Sequence, residues 1–174
     1  MLEGILRNNG RHLDRTLRDT MIFAKIRQPI SVEGTDPFRV MTAADLPAVL
    51  DLWKATEGVG LSEGDALDEL LTHLERNPAC SFVALGSCSE IVGAVLAGHD
   101  ARRGFLYHLA VAKSHRRRGI GRTLVDRSLN ALRSVGIQKC SIMLFSHNDD
   151  GAQFWRDLGW SYRGDLRVLQ MKLQ

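Results

Sequence analysis

Residues 104–134 read GFLYHLAVAKSHRRRGIGRTLVDRSLNALRS, and three kinds of segment follow one another in that stretch. The apolar and aromatic run at 105–111 predicts a strand. Ile120, Leu124, Val125, Leu129 and Leu132 recur at helical spacing, which predicts a helix over 119–134 that Gly136 closes. Between them Arg116, Arg117, Arg118, Gly119, Ile120, Gly121 and Arg122 form a basic turn, and no acidic residue sits in the first turn of the helix that follows. Such a strand-loop-helix is an anion site by construction. Glycines let a phosphate approach the backbone, the unpaired amides of the helix start point toward it, and the helix dipole adds to the attraction. Arginine side chains supply charge for further phosphate oxygens. The pattern is neither the Gly-x-x-x-x-Gly-Lys-Ser/Thr of a nucleoside triphosphate loop nor the Gly-x-Gly-x-x-Gly of a dinucleotide site.

Working outward, Pro37 and the apolar run 38–41 predict a first strand. A helix over 45–55 follows, with Leu46, Val49, Leu50 and Trp53 on one face and Thr42 placed to cap it. The loop 56–64, with three glycines, feeds a second helix over 65–76 that Asn77 and Pro78 end. Strands are expected at 81–85, 91–97 and 105–111, joined by turns at 86–90 and 99–104. Beyond the 119–134 helix come a strand over 140–145, a helix over 151–158 and strand segments after Trp160. The order β-α-α-β-β-β-α-β-α-β is an α/β class, a mixed central sheet with helices on both faces.

The chain of 174 residues, 44% of them apolar, is long enough for one substantial core and short for two. Leu2, Ile5, Leu6, Leu13, Leu17, Met21 and Ile22 recur at helical spacing before Pro29, so residues 1–36 are read as a helical arm and linker ahead of a domain over 37–174. Asp14 and Asp19, with no serine in the first 28 residues, argue against a transit peptide; packing or homodimer formation is the expected use of the arm. The lack of a membrane-length apolar run or a secretion signal points to a soluble, cytoplasmic protein. Cys80, Cys88 and Cys140 lack metal-ligand spacing, so neither a metal nor a disulfide is expected.

Net charge is +3, and six basic against three acidic groups in residues 1–28 account for it. In the remainder the signs balance overall but segregate locally. Residues 101–122 carry seven Lys or Arg and no acid, whereas 42–75 carry eight Asp or Glu against Lys54 alone. The first stretch suits an anionic ligand and the second a cationic one, although solvated helix faces would produce part of the acidic bias. A nucleic-acid surface is not expected, since no aromatics are interleaved with the arginines.

At these residues the sequence resembles the Gcn5-related N-acetyltransferase (GNAT) family, whose signature Arg/Gln-x-x-Gly-x-Gly/Ala is matched by Arg116, Gly119 and Gly121. Leu109-Ala110-Val111 is similar to the family's strand before the signature, Asn148 to its asparagine after the fifth strand, and Leu158-Gly159-Trp160 to its closing Leu-Gly-Phe. The resemblance spans about 38–173. It implies transfer of an acetyl group from acetyl-CoA to a primary amine, on a small molecule or peptide, by direct attack in a ternary complex. It also implies that Leu109 and Val111 offer backbone groups to the pantetheine amides and thioester carbonyl, with Ala110 between them turned away. Arg117, Arg118, Gly119, Ile120, Gly121 and Arg122 would cradle the pyrophosphate, and Asn148 would contact the pantetheine arm. Other readings compatible with the resemblance are a protein N-terminal or lysine acetyltransferase and an acyl-CoA sensor without turnover.

One departure is Trp155, which stands where the family often places a tyrosine near the coenzyme sulfur; an indole N–H cannot supply a phenolic proton. Met143 and Phe105 stand where some members carry acids. A thiol of pKa near 8.5 needs little help in leaving. An alkylammonium of pKa about 10.4, by contrast, costs about 4 kcal/mol to present as a neutral amine near pH 7 unless the site lowers its pKa. Tyr107, read as sharing a strand face with Phe105 and Leu109, is the first candidate to take part in removing that proton, or else a wall of the acceptor site. Glu57, in the glycine-rich loop, is the second, or else a surface acid. Strand alternation turns His108 the other way, and His99 and His147 fall in loops.

Overall fold

The structure is a computed structural model and describes residues 5–6, 20–21 and 36–173. Strand β1 (Phe38–Val40) leads through α1 (Leu46–Lys54) and α2 (Leu67–Arg76) to the meander β2 (Phe82–Leu85), β3 (Ile91–His99) and β4 (Gly104–Val111). Helix α3 (Ile120–Ser134) then crosses over to β5 (Cys140–Ile142), and α4 (Asp149–Asp157) follows. The five strands lie side by side in chain order. β1 to β4 are mutually antiparallel, while β5 runs parallel to β4, the arrangement that a helical crossover makes available.

Alternation along the strands feeds two cores. Val83, Ala94 and Leu96 meet Val49, Trp53 and Leu70 from α1 and α2 on one face. Ala84, Val95 and Ala97 meet Leu124, Val125 and Leu132 from α3 on the other, so the expected two-faced α/β sheet is present.

The entrance to α1 is fastened at Asp45. Its carboxylate accepts from the backbone N–H and the hydroxyl of Thr42, both at 2.8 Å, and from both terminal nitrogens of Arg39 at 2.6 and 2.7 Å. Arg39 first, with the Thr42 bonds, holds the carboxyl at about 2 against the cost of burial. A folded pKa below the unfolded one means that the stabilisation is fully present above about pH 4 and is lost as pH falls through about 2. Asp45 is only 7% exposed, so screening is weak. Asp45→Asn is therefore expected to cost about 2 kcal/mol at pH 7 and nearly nothing near pH 2. Urea unfolding of both proteins across that range checks it; a pH-independent difference would place the effect elsewhere.

Three expectations are corrected. The strand expected over 140–145 stops at Ile142, because β5 keeps its ladder with β4 only through Leu106↔Ile142, and Met143, Leu144 and Phe145 are exposed. No strand forms after Trp160: Tyr162, Leu166, Val168 and Leu169 are exposed, and the segment has no neighbouring strand to pair with among the described residues. The helical arm falls mostly outside the described residues, and the four that are described do not follow it. Ile5–Leu6 and Thr20–Met21 pair as antiparallel strands, with Ile5 opposite Met21 and Leu6 opposite Thr20. Ile5 and Thr20 are β-branched, which favours the extended form.

Candidate active site

The pairing of β3 with β4 runs Gly93↔Val111 and Ala94↔Ala110, then resumes at Leu96↔Tyr107. β4 therefore carries one residue more than β3 across this step, a β-bulge, and within it His108 has φ +46°. The bulge resets alternation. Leu109 and Val111 pack toward the α3 core while Tyr107 and Ala110 pack toward the α1–α2 core. His108 is turned to the α1 side as well, its ring centroid 4.9 Å from that of Trp53 and 6.4 Å from that of Tyr107. This corrects the sequence expectation twice: Leu109 does not share the Tyr107 face, and His108 is not on the opposite one. Tyr107 does share a face with Phe105, with which it stacks at 6.0 Å.

On its other edge β4 pairs with β5 only through Gly104, Phe105 and Leu106. Among the described residues, 107–111 thus have no strand beside them there, and the two strands part to leave a gap. An extended molecule bearing amides can bond to such an edge as an added strand does.

The gap leads to the arginine turn. A 3-10 turn, Lys113–His115, is followed by Arg117 at φ +62° and Gly119 at φ +85°, after which α3 begins with no acid in its first turn. Gly119 answers a backbone need, since a side chain there is strained and a Cβ would touch nothing within 4 Å. Gly121 differs: a Cβ would come within 3.3 Å of the Phe154 ring. Ile120 is buried and anchors the helix start. Arg116 turns back, its Nε donating to the Val111 carbonyl at 3.0 Å, and Arg122 reaches the Asp157 carbonyl at 3.4 Å. Arg117 and Arg118 are exposed at the mouth of the turn.

The α1–α2 loop closes the far side. Gly58 lies against Asn148 and Gly60 against Phe145, so tightly that a Cβ at either would come within 2.6 Å of those side chains. Asn148 caps α4, its Oδ1 accepting from the Gly151 amide at 2.8 Å. The Trp155 indole is buried in the α3 core, edge-on to Phe154 at 5.2 Å and Trp160 at 4.9 Å. Helical spacing turns it inward while Phe154 packs toward Gly121.

Of the three loop acids, Glu57 is exposed, Glu63 meets Lys172 at 3.1 Å, and Asp65 turns inward. Asp65 Oδ2 accepts from the Ser62 amide and hydroxyl, a capping arrangement, while Oδ1 meets His108 Nε2 at 2.6 Å. This Asp65–His108 pair, 43 residues apart, is what sequence reasoning missed. Burial and the nearby Cys140 and Asp100 push the Tyr107 phenol above its usual value, and burial lowers the His73 imidazole, whose Nε2 lies 3.0 Å from the Ala97 carbonyl.

A mixed sheet with a parted β4–β5 pair and a glycine-arginine helix start is the fold of acyl-CoA-dependent acetyltransferases. The acetyltransferase (GNAT) family model matches residues 46–160, and the chain belongs to that family, whose members are acyltransferases that use acetyl-CoA. Similar solved structures include a GNAT acetyltransferase from Staphylococcus aureus Mu50 (16% identity, 78% of this chain and 92% of that one, TM-score 0.63). An acetyltransferase from Trypanosoma brucei shares 24% identity over 78% of this chain and 98% of its own, with a TM-score of 0.56. A Mycobacterium tuberculosis protein in complex with CoA matches at 21% identity over 67% and 69%, with a TM-score of 0.54. No described helix is long and apolar enough to cross a membrane.

Proposed function

We propose that this enzyme is an N-acetyltransferase that moves the acetyl group of acetyl-CoA to a primary amine by direct attack in a ternary complex. The observation that carries this is the unpaired β4 edge at 107–111 running directly into the Gly119–Gly121 helix start. Pantetheine amides and the thioester carbonyl would bond to the Leu109 and Val111 backbone, with Asn148 facing the pantetheine arm across the gap. The pyrophosphate would rest on the amides of residues 117–122, where the open space over Gly119 leaves room. Arg117 and Arg118 would meet its charge, and Arg116 and Arg122 would hold the turn in shape. With the amine held against the polarised carbonyl, its nitrogen attacks and thiolate leaves.

The test is release of CoA from acetyl-CoA in the presence of an amine panel: an alkylamine, a polyamine, and peptides offering a free N-terminus or a lysine. Turnover with any of them supports the proposal. Tight acetyl-CoA binding without turnover across the panel would favour a sensor instead.

For the acceptor, a cationic amine fits the acidic bias of the α1–α2 region. Since Asp65 is engaged by His108 and Glu63 by Lys172, the outward charge of the loop rests on Glu57. Glu57→Gln is expected to raise the KM for the best amine about threefold at low ionic strength, with the difference shrinking in salt. A loss of kcat instead would make Glu57 part of the proton path. Residues 1–36 are proposed as a segment apart from the catalytic domain, serving packing or dimer formation in the cytoplasm.

A further inference from the structure

A group of polar and aromatic side chains gathers on the α1 side of the β4 bulge. Asp65 comes from the α1–α2 loop, Trp53 from α1, His73 from α2, and Tyr107 and His108 from β4. We propose that His108, held by Asp65, is the group that accepts the proton of the attacking amine, with Asp65 as its positioning residue. This assignment rests on the acetyl transfer proposed above.

Three features carry it. First, His108 occupies a left-handed backbone position that a non-glycine residue takes at a cost, in the residue just before Leu109, so the ring is brought to the α1 side beside the β4 edge. An ordinary strand residue there would point away. Second, the Asp65 carboxylate is pinned by the Ser62 bonds at Oδ2 and spends Oδ1 on His108 Nε2. A carboxylate on Nε2 takes the N–H there and leaves Nδ1 as the proton-accepting atom, while stabilising the imidazolium that forms. The Asp65 and His108 side chains are 12% and 15% exposed, so water competes little for that bond. Third, the other titratable groups facing the ring cannot do the same work. The raised Tyr107 phenol stays protonated at neutral pH and can only give a proton. Burial keeps His73 neutral, with Nε2 at the Ala97 carbonyl, so it adds no charge beside His108.

In the step itself the ammonium gives one N–H proton to His108 Nδ1, which passes it to solvent, and the freed nitrogen lone pair forms a C–N bond with the acetyl carbon. The C–S bond then breaks with its electron pair leaving on sulfur, and the second nitrogen proton goes to that thiolate; an acceptor that arrives neutral needs only this second transfer. No oxidant or further reactant is needed.

The test uses the full-length enzyme, acetyl-CoA, and two probe acceptors. One is n-butylamine, an alkylammonium at neutral pH; the other is aniline, already neutral there. His108→Asn suits the left-handed position, and His108→Gln is the companion should the asparagine variant fold poorly. Either is expected to lower kcat/KM for n-butylamine about a hundredfold, within the usual range for loss of a general base. Aniline should lose less than tenfold, and acetyl-CoA affinity should hold within about twofold. The pH profile of kcat/KM for n-butylamine should differ between wild type and the variants. Asp65→Asn should lower n-butylamine turnover about tenfold and alter that profile, and Asp65→Glu should restore part of the rate. Unchanged turnover and an unchanged pH profile in folded His108 variants, or equal losses for both amines, would overturn the assignment while leaving the acetyl transfer standing. Wild-type enzyme that binds acetyl-CoA yet releases no CoA with any amine of the wider panel would overturn the proposed function first, and this assignment with it.

Discussion

Gly121→Glu is expected to weaken acetyl-CoA binding by roughly a hundredfold or more, about 3 kcal/mol, in a protein that still folds. The substitution places a carboxylate in the first turn of α3, where the amides of residues 117–122 would meet a pyrophosphate. There it competes for the same N–H groups and repels the phosphates. Steric cost alone is small. The new Cβ comes 3.3 Å from the tip of the Phe154 ring and 3.8 Å from a Val111 methyl, and a ring end can yield by a few tenths of an ångström. Gly121→Ala carries that steric part without the charge, so it should bind acetyl-CoA within a fewfold of wild type. Titration calorimetry on all three proteins, with thermal unfolding as the check on folding, separates the two effects. Equal affinity in a folded Gly121→Glu protein would remove the phosphate site, and with it the basis of the proposed reaction.

The second large effect concerns what holds α3 to the sheet. Leu124 is fully buried, and its Cδ1 lies 3.1 Å from where a Cβ on Gly93 of β3 would stand. The leucine thus fills the space that the glycine leaves open. Leu124→Ala is expected to cost about 3 kcal/mol, the usual range for a buried leucine, because a glycine floor has no side chain with which to fill the cavity. For a chain of this size that lowers Tm by roughly 6–12 °C. Gly93→Ala alone should also destabilise, since its methyl would crowd Ile120 at 3.0 Å as well as Leu124. Together the two changes should cost less than the sum, because the methyl enters the space that Leu124 vacates. A double-mutant cycle by denaturant unfolding checks the sign. Strict additivity would mean that the helix shifts to close the cavity without help from β3.

Both predictions turn on contacts between parts of the chain that sequence brings into view unequally. The turn at 116–122 was legible because its shape lies in local backbone geometry: glycine spacing, a helix start, and no acid in the first turn. Helices α1 and α3 were legible from apolar spacing, and the end of α2 from Asn77 and Pro78. The 160–173 segment misled for a related reason. Apolar and β-branched side chains register a tendency to extend, but a strand exists only where another strand lies beside it, and there none does among the described residues. Counting from Asn148 places Trp155 along the chain, but the burial of its indole against the α3 core follows from how α4 is rolled, which counting does not report.

By itself the sequence determined the α/β class, the order of elements as far as α4, and the glycine turn that opens α3, because each depends on neighbours within a few residues. Tertiary structure alone decided which side chains meet on the α1 side of β4. One extra residue in β4 relative to β3 reverses the alternation that would have turned His108 away, and bulges follow from strand register, which no local pattern encodes. The carboxylate that meets that histidine arrives from a loop 43 residues earlier, a pairing made by the packing of α1 and α2 on the sheet.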